Sequence, residues 1–303
     1  MSGPGAPPPG GEVARRPRIL WGGAFFLAAY HLGSLLVFRV GWSWPAVAAC
    51  LAVYWAQIFG LSAGYHRYFS HRSFKTGRAF QLALALLGGL AAQMGPLWWA
   101  SHHRRHHRCA DRPGDAHSPV LSGFLWSHLG WFLSEEFRAT DEAAVRDWNG
   151  FPELRWLDRG RVAVPGALLA VLFAAGVLLE RARPEWGATG PQMLVWGGLL
   201  ATTLCYQVTF CVNSVAHLFG RRRFDTPDNS RNLWLVALLT NGEGWHNNHH
   251  RFPSSERHGL RWWEWDPTHY LLRLLSALGI VWEIQVPPRR ALREAPGAPP
   301  DPA

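Results

Sequence analysis

Four stretches of the chain, 19–38, 44–63, 162–179 and 193–212, are almost wholly apolar. At 1.5 Å of rise per residue, a helix needs about 20 such residues to cross a bilayer core. None of the four holds an Asp, Glu, Lys or Arg, and His31 is their only histidine. Residues 39–43 leave so short a link between the first two that they form a helical hairpin. A fifth apolar run, 79–99, is also long enough to span. Its Gln81, Gly88, Gly89, Gln93 and Pro96 suit a helix that lies on or dips into the interface.

Charge decides between four spans and five. With four, segments 1–18, 64–161 and 213–303 share one side and carry 27 of the 30 Lys and Arg; Arg39, Arg181 and Arg183 face the other. Basic residues collect on the cytoplasmic side of membrane proteins, so both termini and both long polar segments are expected there. The expected organisation is a tail over 1–18, a membrane domain over 19–286 with cytosolic parts 64–161 and 213–286, and a tail over 287–303. The tails are rich in Pro with Gly, Ala or Arg, a composition that favours disorder. The fold class expected is all-α and integral to the membrane. It has four spans, an interfacial helix and a cytosolic helical cap.

Composition adds two facts. Only 17% of the 303 residues are charged, against about 25% in ordinary soluble domains, as four spans require. The net charge of +9 is spread beside the spans, which turns it from a nucleic-acid signal into an orientation signal. The four cysteines form no CxxC pair and read as packing thiols.

Histidine is the anomaly, at fifteen residues. Nine follow the apolar runs. They are His66 and His71 after the second span; His103, His106 and His107 after the fifth run; His217 after the fourth span; and His246, His249 and His250 further on. On the four-span topology all nine share one membrane face. HxxHH, which occurs twice, puts three imidazoles on one side of a helix, and Asn213 and His217 are an i,i+4 pair. HxxxxH is less regular and suits a helix end. Neutral imidazoles bind Zn, Fe, Cu or Ni. One HxxHH alone is often a surface accident, but nine histidines crowded at helix ends need a shared partner. They exceed the needs of one four-coordinate metal, so two metals with four or five nitrogen ligands each are expected. No HExxH, GxSxG or GxxxxGK[ST] motif is present. Hydrolysis by two zincs stays open on these grounds. A metal transporter would place its ligands inside the spans, which are nearly free of ionisable groups.

The runs Gly60-Leu-Ser-Ala-Gly-Tyr-His-Arg-Tyr-Phe-Ser-His71, Ser122-Gly-Phe-Leu-Trp-Ser-His-Leu-Gly-Trp131, Asn213-Ser-Val-Ala-His217 and Gly242-Glu-Gly-Trp-His-Asn-Asn-His-His250 resemble the membrane fatty-acyl desaturases, in particular the stearoyl-CoA (delta-9) group and its bacterial relatives. The resemblance covers about 20–286. It implies a non-haem di-iron oxygenase that uses O2 and reductant to insert a cis double bond into a long-chain acyl substrate, with acyl-CoA and delta-9 chemistry expected. It puts the metal ligands on the nine histidines named above and a water-mediated contact on Asn213. It puts a bend in the acyl tunnel at Gln93, Trp99 and Thr209. Tyr54 falls at the tunnel end, and Ile58, one turn later, stands where animal enzymes often have alanine, which would favour chains of about C16 over C18.

The chain departs from the animal pattern at Ser101 and His102, where those enzymes carry Arg-Asp near the CoA headgroup. His102 is expected to be an orienting or surface group rather than a tenth ligand. His117 and His128 are expected to orient neighbours, and His31, His258 and His269 to be structural. No cytochrome b5 motif is present, so electrons would come from a separate protein such as ferredoxin with its reductase, drawn to the basic face. That face could equally meet anionic lipid. A hydroxylase on the same scaffold and a membrane metal-binding protein without turnover are the alternatives.

Overall fold

The computed structural model describes residues 17–288; the expected tails lie, but for residues 17, 18, 287 and 288, outside the described residues. Four helices are long and apolar enough to cross a membrane: Trp21–Val40, Trp44–Ser70, Ala163–Ala182 and Gly190–His217. They are the four expected spans. The second and fourth run on well past bilayer length and carry His66 and His217 with them.

Local sequence sets the helix ends. Gly41, at φ 70°, closes the first hairpin helix, and Pro45 sits in the first turn of the next. The fourth span starts with the Thr189 side chain accepting the Gln192 N–H. The spans approach through small residues, as apolar helices do in lipid: Gly197 and Gly198 lie against Leu172 and Leu169 of the third span. Gln57, fully buried, donates to the Leu90 carbonyl and to Thr202 Oγ1, tying the second span to the fourth and to the turn inside the fifth run.

The fifth run is not one continuous helix of spanning length. Its helix, Arg78–Gly89, covers 12 residues and turns back at Ala92 and Met94, both at positive φ. Pro96 then opens the returning helix Pro96–Cys109. The outward helix is pressed along the second span, where any side chain at Gly60 would overlap the Leu87 and Gly88 backbone. The returning helix lacks a side-chain cap of its own; Asp158 of the helix Pro152–Arg159 accepts the Leu97 and Trp98 N–H groups at 3.1 and 2.8 Å. This re-entrant path brings the histidines after the fifth run back beside those after the second span.

The rest of the cap is made of short helices and turns, with one two-stranded antiparallel ladder, Lys75–Thr76 against Val281–Trp282. The described fold is thus all-α apart from that ladder. Arg18 and Ile19 join the cap through the Arg18 carbonyl, which accepts the Glu135 N–H at 2.9 Å.

Candidate metal centre

The second span changes pitch as it leaves the apolar layer. From Gly60 to Ser70 it is a π-helix, and the His71 N–H donates to the His66 carbonyl, five residues back. That wider turn puts residues five apart on one side, which explains the HxxxxH spacing.

The nine histidines fall into two groups. His66, His71, His103, His107 and His249 form one, and His106, His217, His246 and His250 the other; within each group, one nitrogen per residue lies within 4.8 Å of all the rest. In the first group His71 and His103 approach to 2.8 Å through Nε2, and His249 Nε2 lies 3.0 Å from His66 and 2.9 Å from His107. In the second, His246 Nε2 lies 3.0 Å from both His217 and His250. Each HxxHH helix therefore feeds both groups. The i,i+4 pair His103 and His107 joins the first while His106 joins the second, and His246 and His250 join the second while His249 joins the first.

Carboxylates fix these rings from behind. Glu243 holds His66 Nδ1 and also accepts from Ser62. Asp115 meets His106 Nδ1 at 3.0 Å, Asp111 meets His217 at 2.9 Å and Asp228 meets His250 at 2.9 Å. A carboxylate on Nδ1 keeps the proton there and turns a bare Nε2 lone pair inward. Three such lone pairs converge in the second group, where His246 can give at most one proton. The buried Nε2 of His106 has no hydrogen-bond partner at all. Buried lone pairs aimed at each other are costly unless a cation lies between them, so the donor set fits a bound metal.

Titration follows the same logic. Burial and crowding by other imidazoles hold His71, His103, His107, His246 and His249 well below the ordinary histidine value. Burial also lowers His250, to about 4, although Asp228 opposes it. At His106 burial pulls down, but the carboxylates of Asp115, Asp111 and Asp228 together outweigh it and the net shift is upward. Asp111, Asp115, Asp228 and Glu243 are buried, yet their histidine partners hold each of them below the usual carboxylate range.

Two narrow voids adjoin the groups. One is lined by Gln93, Trp98, Trp99, His103, Thr209 and Asn213 among others; the second by Ile58, Leu61, Trp99, His103, Thr209 and Asn213 among others. Trp99 stacks on His103 with ring centroids 4.9 Å apart. Tyr54 is not among the lining residues; its hydroxyl donates to the Leu239 carbonyl at 2.7 Å. Asn213 lines both voids but belongs to neither histidine group.

The other six histidines lie outside the two groups that the nine form. His258 is fully buried, with its ring 4.5 Å from that of His249 and its Nδ1 3.5 Å from Glu243, so it packs beside the first group. No spacing in the sequence signalled this. His117 stacks on His106 at 4.4 Å, and His102 bonds the Trp98 carbonyl through Nδ1. His128 meets Ser214 and Gln207, His31 meets Gln207, and His269 meets Glu256. The four carboxylates were also missed, although Glu243 lies inside the Gly242–His250 run and Asp111 and Asp115 follow the first HxxHH within eight residues.

Comparison with known proteins agrees with this geometry. The family profile described as "Fatty acid desaturase" matches residues 42–282. The sn-1 stearoyl-lipid 9-desaturase of Anabaena variabilis is 36% identical over 277 residues, 90% of this chain and 97% of its own. The sn-2 palmitoyl-lipid 9-desaturase of Nostoc sp. is 36% identical, with 92% and 95% covered, and the acyl-CoA C20 Delta5-desaturase of Anemone leveillei is 36% identical, with 81% and 75% covered. A histidine constellation able to hold metal, four membrane-length helices and this breadth of similarity lead to one conclusion: the chain belongs to the fatty acid desaturase family.

Proposed function

We propose that the two histidine groups hold two irons and that the chain inserts a cis double bond into a long-chain acyl group, at delta-9, using O2 and an external electron donor such as ferredoxin with its reductase. The observation that carries this reading is the division of nine histidines into groups of five and four beside voids lined by Gln93, Trp99 and Thr209. When bound, the iron pair supplies the O2-dependent oxidising power needed to remove hydrogen from two neighbouring methylenes, which side-chain acids and bases cannot supply.

The protein's own part is placement. Glu243, Asp111, Asp115 and Asp228 hold four imidazoles in one tautomer and one orientation. Trp99, flat against His103, forms a wall along which an acyl chain passes the groups, and Thr209 and Asn213 give that wall its polar points. Asn213 is placed to hold a water beside the groups. Ile58 lines the second void, one turn after Tyr54 on the same helix, and its bulk would shorten the space open to the acyl chain. The narrow, largely apolar lining excludes bulk water from the reacting carbons.

The names of the Anabaena and Nostoc relatives favour an acyl group carried on a lipid over the CoA ester implied by the sequence resemblance. The Anemone relative keeps acyl-CoA as the second reading. The excess of Lys and Arg on one side supports a cytoplasmic site and cytoplasmic termini. The test is expression in a host with a working donor, followed by mass spectrometry of fatty acids with double-bond localisation. A new delta-9 cis product is expected. Hydroxylated product selects the monooxygenase alternative, and no new product speaks for a binding protein.

A further inference from the structure

A third cavity, of about 230 Å³, lies apart from the histidine groups, at the level where the spans meet the cap. Its wall includes Leu20, Gly22 and Gly23 at the start of the first span, and Val162, immediately before the third. It shares Trp98 and Phe132 with the void that reaches Gln93, Thr209 and Asn213. The lining is otherwise apolar, save Arg138 and Arg161. Among the described residues neither guanidinium has a hydrogen bond or ion pair. The acid whose charge Arg161 influences, Asp158, already accepts from the Leu97 and Trp98 N–H groups and from Thr140. The segment with Arg138 is fastened to the first span by the Leu20 N–H, which donates to the Leu133 carbonyl at 2.7 Å.

We propose that Arg138 and Arg161 bind the phosphate of a membrane phospholipid, one of whose acyl chains enters past Phe132 and Trp98 toward the histidine groups. This inference rests on the desaturase reading and names its substrate class. Two free guanidiniums at headgroup depth, over an apolar cavity between two spans, match an anionic head on an apolar tail. The turn that carries Arg138 also exposes Glu135 and Glu136. Those carboxylates repel a multiply charged headgroup such as that of CoA far more than a singly charged phosphodiester.

The test uses the full chain in nanodiscs, with a phosphatidylglycerol bearing a diazirine in one acyl chain as probe. Crosslinked peptides are mapped by mass spectrometry. Labelling is expected on peptides containing Met94 and Phe132, to fall about tenfold in R138Q/R161Q and to recover in R138K/R161K. The exposed-residue control R155Q should label as the parent does. Excess stearoyl-CoA should not displace the probe, and a phosphate-free galactolipid probe should label weakly. Equal labelling in R138Q/R161Q, labelling elsewhere, displacement by stearoyl-CoA or equal labelling by the galactolipid overturns the proposal. Because labelling needs no turnover, a protein that labels as expected yet makes no unsaturated product counts against the desaturase reading alone.

Discussion

His106 and His107 are neighbours in sequence, yet their rings stand at 80° to each other and serve different groups, His107 the five-membered one and His106 the four-membered one. Single substitutions should therefore separate the two centres. H107A is expected to lose metal mainly from the first and H106A mainly from the second, each retaining about half of the parent content, while H106A/H107A loses nearly all. Metal analysis of purified protein checks this, and a full complement in the double variant would break the site assignment.

Glu243 links the first group to the buried charges around Arg67, which also pairs with Asp266 at 2.9 Å. E243Q keeps the shape but removes the charge that holds the His66 Nδ1 proton. Loss of such a support lowers metal affinity or activity by about 10- to 100-fold. It also leaves Arg67 with less compensation, so the melting temperature of metal-free E243Q should fall as well. Metal titration and thermal melting read the two effects separately.

The histidine shifts set a pH dependence for the metal-free protein. His103, His107, His246, His249 and His250 are lowered, so between their folded values and about 6.5 the unfolded chain binds more protons. Stability then rises with pH across that window and falls as the solution is acidified from neutral. For His250 the window closes near pH 4. The paired carboxylates act in the same direction at lower pH, since their contribution is complete above the ordinary carboxylate range and fades as they protonate. Thermal melts of chelated protein from pH 8 to pH 4 should show a steady decline; a flat profile would contradict it.

Ile58 lines the second void and is 2% exposed. I58A should lengthen that void and shift products toward longer chains, at a stability cost of about 2–5 kcal/mol for the cavity left behind. Chain-length profiling of products decides, and no gain with longer substrates sinks the tunnel-end assignment.

The spans were legible because about 20 apolar residues without charge have one use. The common side of the nine histidines was legible from charge, and the return of the fifth run at Ala92 and Met94 bears it out. The split of each HxxHH run between two groups was not legible. Helical spacing says that His103, His106 and His107 share a broad face, but which side of that face each ring serves depends on His66, His217 and the distant helix His246–Arg251. The carboxylate partners were hidden for a similar reason: Asp228 and His250 are 22 residues apart and meet only through the fold.

The π-helical stretch Gly60–Ser70 has a consequence for length variation in this chain. In an ordinary helix five residues advance about 500°, which would swing His71 about 140° away from His66. The wide turn narrows that angle, so the count of residues from His66 to His71 is itself a structural parameter. Removing one residue there keeps every ligand in the sequence and still dismantles the five-histidine group, a frame-like sensitivity that composition alone would never reveal.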